Sequence, residues 1–183
     1  MAFLEIVTRT FGQRPTMLQR CIDSVAQQTD GDYTHTIIRD THARGVAWAV
    51  GNLAHHIATG EYVIVIDDDD LLVRRTLVAE LKQIVAEHDP DVIMLRASHV
   101  VFGVLPRNGN WGHEPQLGDV GTSNYVIRGA TWNAYHSIWQ AKYEGDWMYI
   151  NQLWHTPGLR WYWHDVVAVH YPQRSNGAAE HAH

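Results

Sequence analysis

Gly60-Glu61-Tyr62-Val63-Ile64-Val65-Ile66-Asp67-Asp68-Asp69-Asp70-Leu71 is the stretch on which the fold of this chain turns. Residues 61–66 are nearly all apolar, the pattern of a strand buried on both faces of a parallel sheet. The run then ends abruptly in four aspartates. In open α/β sheets ligands bind beyond the carboxyl ends of the strands, so this strand end is where chemistry is expected. Upstream, a β-branched apolar segment from Phe3 to Thr8 leads through Gly12-Gln13-Arg14-Pro15 into Met17, Leu18, Cys21, Ile22 and Val25. That spacing predicts strand, loop and helix. A second strand is expected over Thr34 to Arg39, ending at Asp40. A small-residue helix is expected over Gly45 to Ala58, with Gly60 as its C′ residue.

Downstream, apolar residues at 71, 72, 77, 78, 81, 84 and 85 predict one helix over Leu71 to Glu87, with Asp70 as its cap. Asp89-Pro90-Asp91 breaks it before a strand at Val92 to Leu95. Strands alternating with helices over the first hundred residues imply βαβ units, hence an α/β domain with a mostly parallel central sheet and helices on both faces. The second half reads differently. Strands are expected at Val100 to Val104 and Ser123 to Ile127, separated by a Gly/Pro/Asn-rich loop from Leu105 to Asp119 that covers something beneath it. Helices follow at Ala130 to Lys142 and from Gly145-Asp146 through Trp154, then closing strands at Trp161 to Trp163 and Val166 to Val169. One domain over 1–174 is expected, with a polar tail at 175–183.

With 14 Lys+Arg against 20 Asp+Glu, the net charge of −6 lacks the basic footprint of nucleic-acid binding. No apolar run approaches the ~20 residues of a membrane span. The single cysteine, Cys21, excludes an internal disulfide, and Met1-Ala2-Phe3-Leu4-Glu5 has no signal-peptide pattern, so a cytoplasmic setting is expected. The 13 histidines invite a metal reading, although Glu180-His181-Ala182-His183 reads as a frayed terminus.

Adjacent carboxylates repel one another, and an oxygen-only cluster suits a hard cation such as Mg2+ or Mn2+, which could bridge to substrate phosphates. Here the chain resembles the family 2 glycosyltransferases, whose GT-A fold binds a sugar nucleotide through a metal held by a D-x-D motif. The segment 60–71 looks like the family's G-E-Y-hydrophobic-L-D-x-D-D-L. Arg14-Pro15 with Leu18 to Thr29 is similar to its R-P-x-x-L-x-R-C-I-x-S-V-x-x-Q-T helix, and Asn52 stands at the Asn of A-R-N. The resemblance implies a nucleotide-sugar donor. Asp67 would contact the ribose, Asp67 and Asp69 would hold Mg2+ or Mn2+, and Asp68 and Asn52 would lie in the donor site. Asp40 would bind the base, with Thr8 and Arg9 lining the same pocket; Asp40 also reads as a simple turn residue.

The chain departs from the family at Thr10-Phe11-Gly12-Gln13, at Asp40-Thr41-His42-Ala43-Arg44 and at Gly51. These departures leave the donor open, with a UDP-sugar as the default, and Arg44 is a candidate for the missing phosphate charge. Tyr143-Glu144-Gly145-Asp146-Trp147 resembles the family's acidic E-D-W motif, which implies an inverting transfer with Asp146 as general base and Glu144 as the substitute. Asp146 also reads as a helix cap. Gly121 to Tyr125 falls where the family has a small-residue segment lining donor sugar and acceptor. His170 lies where some GT-A enzymes carry a further metal ligand, though a strand-end histidine is commonly structural.

Seven of the eight tryptophans lie in the second half; aromatic faces stack on sugars, and they also fill cores. The resemblance implies a glycan, lipid-linked or small-molecule acceptor, and a homo-oligomer is compatible with this aromatic density. The donor-nucleotide half is about 1–98 and the acceptor half about 99–174. A nucleotidyltransferase and a non-catalytic metal-, nucleotide- or carbohydrate-binding module of the same fold stay open as alternatives.

Overall fold

The computed structural model describes residues 1–10, 12–40 and 46–172, with the backbone alone at 46 and 48. Arg44 and the expected tail at 175–183 therefore lie outside the described residues. The chain opens with β1 (Leu4–Thr10), α1 (Pro15–Val25) and β2 (Tyr33–Arg39), followed by α2 (Val46–Gly51) and β3 (Tyr62–Asp67). After β4 (Leu71–Leu72) and α3 (Leu77–His88) come β5 (Val92–His99), β6 (Gly103–Leu105) and β7 (Tyr125–Arg128). It closes with α4 (Gly129–Tyr135), α5 (Gly145–Trp154) and β8 (Trp161–Tyr171). One sheet of eight strands runs in the order β2-β1-β3-β7-β5-β8-β4, with β6 on β5. β1, β2 and β3 are parallel, β7 reverses, and β5 and β8 return to the first direction. Five strands thus share one direction, and β4, β6 and β7 oppose it.

Alternation along the strands divides the core in two. Leu4, Ile6, Tyr62, Ile64 and Ile66 pack against Cys21 and Val25 of α1 and against Leu77, Val78 and Leu81 of α3. Val7, Val63 and Val65 face the other way, onto Val50 of α2, Trp132 of α4 and Tyr149, Ile150 and Leu153 of α5. Helices cover both faces, as the alternating pattern predicts. No helix among the described residues is long and apolar enough to cross a membrane.

Several expected boundaries are corrected. The helix predicted from Leu71 begins only at Leu77, because Leu71 and Leu72 pair with His170 and Val169 of β8. Asp70 is therefore not its cap. The helix expected to reach Ala58 stops at Gly51 and continues as the 3-10 turn Asn52–His55. Gly60 is no C′ residue: a Cβ there would lie 2.7 Å from the Glu5 backbone nitrogen, so glycine permits β3 to start hard against β1. Val100 and its neighbours form the turn of a β5–β6 hairpin, closed by Gly103 at φ 75°. The strand expected from Ser123 starts at Tyr125, after the 3-10 turn Thr122–Asn124. The helix expected to Lys142 ends at Tyr135. The two closing strands are one, with register shifts against β5 between Met94 and Ala97.

Candidate active site

Parallel register sets the site. Arg9 and Asp67 are direct partners across β1 and β3, so their side chains leave the sheet on the same face, and they form a two-pronged ion pair. Arg9 Nε and Nη2 donate to Asp67 Oδ1 and Oδ2 at 2.6 and 2.7 Å. Thr122 Oγ1 donates to Asp67 Oδ1 at 3.1 Å. Asp68 points to the opposite face, where Thr10 Oγ1 donates to it at 2.5 Å. Arg14, at the entry to α1, spans Asp68 (2.8 Å) and Asp69. Asp70 donates its N–H to the Asp67 carbonyl at 3.0 Å and accepts from Ser123 Oγ at 2.9 Å.

Burial and pairing set Asp67, Asp68 and Asp70 apart. Burial pushes Asp67 up, but the Arg9 guanidinium outweighs it and holds the carboxyl below its ordinary value. Burial raises Asp68 despite Thr10 and Arg14. Burial, then the charges of Asp67 and Asp69, drives Asp70 well above the usual carboxylate range, toward its neutral form.

Asp146 lies in the first turn of α5. Its Oδ1 accepts from the Trp147 N–H at 2.7 Å, and burial pushes its carboxyl up to about 6, opposed by the Trp147 N–H and Arg9 and reinforced by Asp67. Arg9 thus stands in the fields of both Asp67 and Asp146. The Gly121-to-Asn124 turn joins these parts. A Cβ on Gly121 would lie 3.0 Å from Tyr171 Oη and 3.8 Å from Asp146 Oδ2, while Asn124 accepts from Tyr171 Oη at 2.9 Å and from the Gly121 N–H at 2.8 Å. The 105–119 loop covers α5: Trp147 Nε1 donates to the Pro115 carbonyl and Asn151 Nδ2 to Glu114. Asp119 ties the loop back to Arg107 and Asn110.

The structure therefore sets Asp146 in the field of Arg9 and Asp67, and joins Asp68 to Asp69 through Arg14. Asp40 is buried at the end of β2, its N–H donating to the Thr10 carbonyl at 2.7 Å. Thr8 faces α1, with Oγ1 2.8 Å from His35 Nε2 and 3.6 Å from Cys21 Sγ, so it lies on the sheet face opposite Arg9. Asn52 opens its 3-10 turn. Glu144 is exposed at the N-cap of α5. His170 Nδ1 is 2.8 Å from Ser98 Oγ. Sequence reading missed Arg14, Thr10 and the link from Ser123 to Asp70. The available signal was the periodicity of two, which puts Thr10 and Asp68 on the face opposite Arg9 and Asp67; the register that pairs Arg9 with Asp67 is not legible from it.

Among the described residues no three His, Cys, Asp or Glu side chains converge as a metal cluster. A hard-cation site of the phosphate-completed kind needs fewer: Mg2+ characteristically takes one or two carboxylates and draws the rest from phosphate and water. Asp68 and Asp69, close enough for one guanidinium to span, fit that requirement.

No family model matches the chain, and no curated protein matches it. Solved structures do. The chain aligns with the 1–349 region of TarS from S. aureus at TM-score 0.63 and 16% identity, over 93% of this chain and 60% of that one. It aligns with the same region in complex with UDP-GlcNAc at 0.62 and 15%, over 96% and 59%. With the mannosyltransferase PcManGT from Pyrobaculum calidifontis, in complex with GDP-Man and Mn2+, the values are 0.63 and 16%, over 95% and 58%. These proteins share the mixed α/β fold, and the chain spans about three fifths of their length.

Proposed function

We propose that the chain is a glycosyltransferase domain that moves a sugar from a nucleoside diphosphate donor, a UDP-sugar first, to an acceptor hydroxyl with inversion. The observation carrying this reading is the pairing of two acidic elements through Arg9: the aspartate run ending β3, and the raised carboxyl of Asp146 on α5. That is the division of labour an inverting transfer needs, with donor machinery on one side and a base on the other. The fold shared with proteins solved with UDP-GlcNAc and GDP-Man supports it.

In this reading Asp40 takes the base, Asp67 is held by Arg9 facing the donor, and Asp146 receives the acceptor hydroxyl proton, with Glu144 the lesser candidate. Asn52 and Arg44 complete the donor pocket. A divalent cation, Mg2+ or Mn2+, held by Asp69 with Asp68, would supply neutralisation of the departing diphosphate; His170, engaged with Ser98, would have to turn to join it. The donor half is about 1–98, and the acceptor, a glycan, lipid-linked sugar or small molecule, meets residues beyond it.

Calorimetric titration of UDP, GDP, dTDP and CDP, with Mn2+ and then with EDTA, tests the reading. One selectively bound, metal-dependent nucleotide is expected, followed by turnover of its sugar conjugate. Binding of none of the four overturns it.

A further inference from the structure

Two arginines meet the aspartate run, and they are built differently. Arg9 lies within β1, in register with Asp67 and 7% exposed, and grips one carboxylate with two donors. Both of its anchors are central parallel strands. Arg14 instead stands outside the helix, at the N-cap of α1 with φ −128° and ψ 59°, and is 18% exposed. Its two terminal nitrogens are divided between two carboxylates, Nη2 to Asp68 Oδ1 at 2.8 Å and Nη1 to Asp69 Oδ2. A guanidinium fork matches two oxygens of a single phosphate or carboxylate better than one oxygen from each of two.

We propose that Arg14 is the phosphate-binding residue of the donor site and, without donor, the stand-in cation on Asp68 and Asp69. When a nucleoside diphosphate enters, Arg14 exchanges these carboxylates for phosphate oxygens, and the freed pair accepts the divalent ion. This rests on the nucleoside diphosphate reading above, and it gives Arg14 the charge that sequence reasoning sought in Arg44. Its consequence is a competition: the same guanidinium that attracts phosphate keeps a divalent ion off the aspartates until phosphate arrives.

The test is calorimetry on wild type and Arg14→Gln, titrating Mn2+ alone and, separately, the nucleoside diphosphate that wild type selects, in saturating Mn2+. Relative to wild type, Arg14→Gln is expected to bind Mn2+ alone at least about tenfold tighter and the diphosphate at least about tenfold more weakly, one charge-assisted hydrogen bond's worth. Affinity for the parent nucleoside should be unchanged. Mn2+ affinity within about twofold of wild type, or diphosphate affinity within about twofold, overturns the proposal, since either change is well below one such bond. If Arg14→Gln does not fold, Arg14→Lys replaces it. A lone ammonium cannot reproduce the fork, so a loss of diphosphate affinity is expected there too, and an unchanged affinity overturns the assignment. If wild type binds no diphosphate, the donor reading fails by itself, while Mn2+ alone still shows whether Arg14 guards the aspartates.

Discussion

At the start of β1, Glu5 is 1% exposed and accepts hydrogen bonds from Thr36, His56 and the backbone and hydroxyl of Thr59. Burial alone would raise its carboxyl, but these donors hold it down to about 2. At the other end of the same parallel pair, Asp68 and Asp70 are buried beside like charges and are pushed up. The two ends bury the same chemical group in opposite ways. Where every lone pair has a donor, a carboxylate fastens the sheet; where carboxylates crowd one another, free energy is left for a ligand to recover.

The sharpest way to break this contrast is Asp146→Asn. Turnover is expected to fall at least ~100-fold, the usual worth of a general base, with nucleotide affinity unchanged in calorimetry; near wild-type turnover would remove Asp146 from the mechanism. Wild-type turnover should also fall with acidification through pH 6, because the base must be ionised and its carboxyl titrates at about 6.

Next in size is Glu5→Gln, which should cost about 3 kcal/mol by denaturant unfolding at pH 7. The Glu5 carboxyl sits at about 2 folded against 4.5 unfolded. Its contribution is therefore complete above pH 4.5 and is lost as pH falls through 2. A variant as stable as wild type at pH 7 would make Glu5 a passenger.

Smallest is the stability of Asp146→Asn itself. A folded value near 6 against 3.8 unfolded means that the native state holds the extra proton between those limits, so wild type loses stability as pH rises through them. The variant should be more stable at pH 7.5, by up to about 3 kcal/mol, and no more stable at pH 3.5. A thermal melt showing no gain at pH 7.5 would mean that the buried Asp146 carboxyl carries no such penalty.

Much of this was readable in the chain. The apolar run into Asp67, the first helix and the start of α5 at Gly145 carry strong local signals, and they place the aspartates and Asp146 on their elements. What local pattern leaves out is partnership. Leu71 and Leu72 have helical spacing, yet β8 claims them. Gly60 reads as a helix terminator, yet it serves the approach of β1. Thr8 sits beside Arg9 in sequence, and the pleat sends it to the other face. Arg14 was visible as part of a helix-entry motif; that it reaches Asp68 and Asp69 depends on a contact across more than fifty residues.

Cys21, the sole cysteine, is fully buried on the sheet-facing side of α1, and burial pushes its thiol up to about 12. In the native chain that sulfur is both hidden and protonated, and so inert to thiol reagents. Its labelling rate therefore measures how often α1 lifts from the sheet. Because Arg14 caps the entry to that helix, the chain carries its own chemical clock for the segment that reaches Asp68 and Asp69.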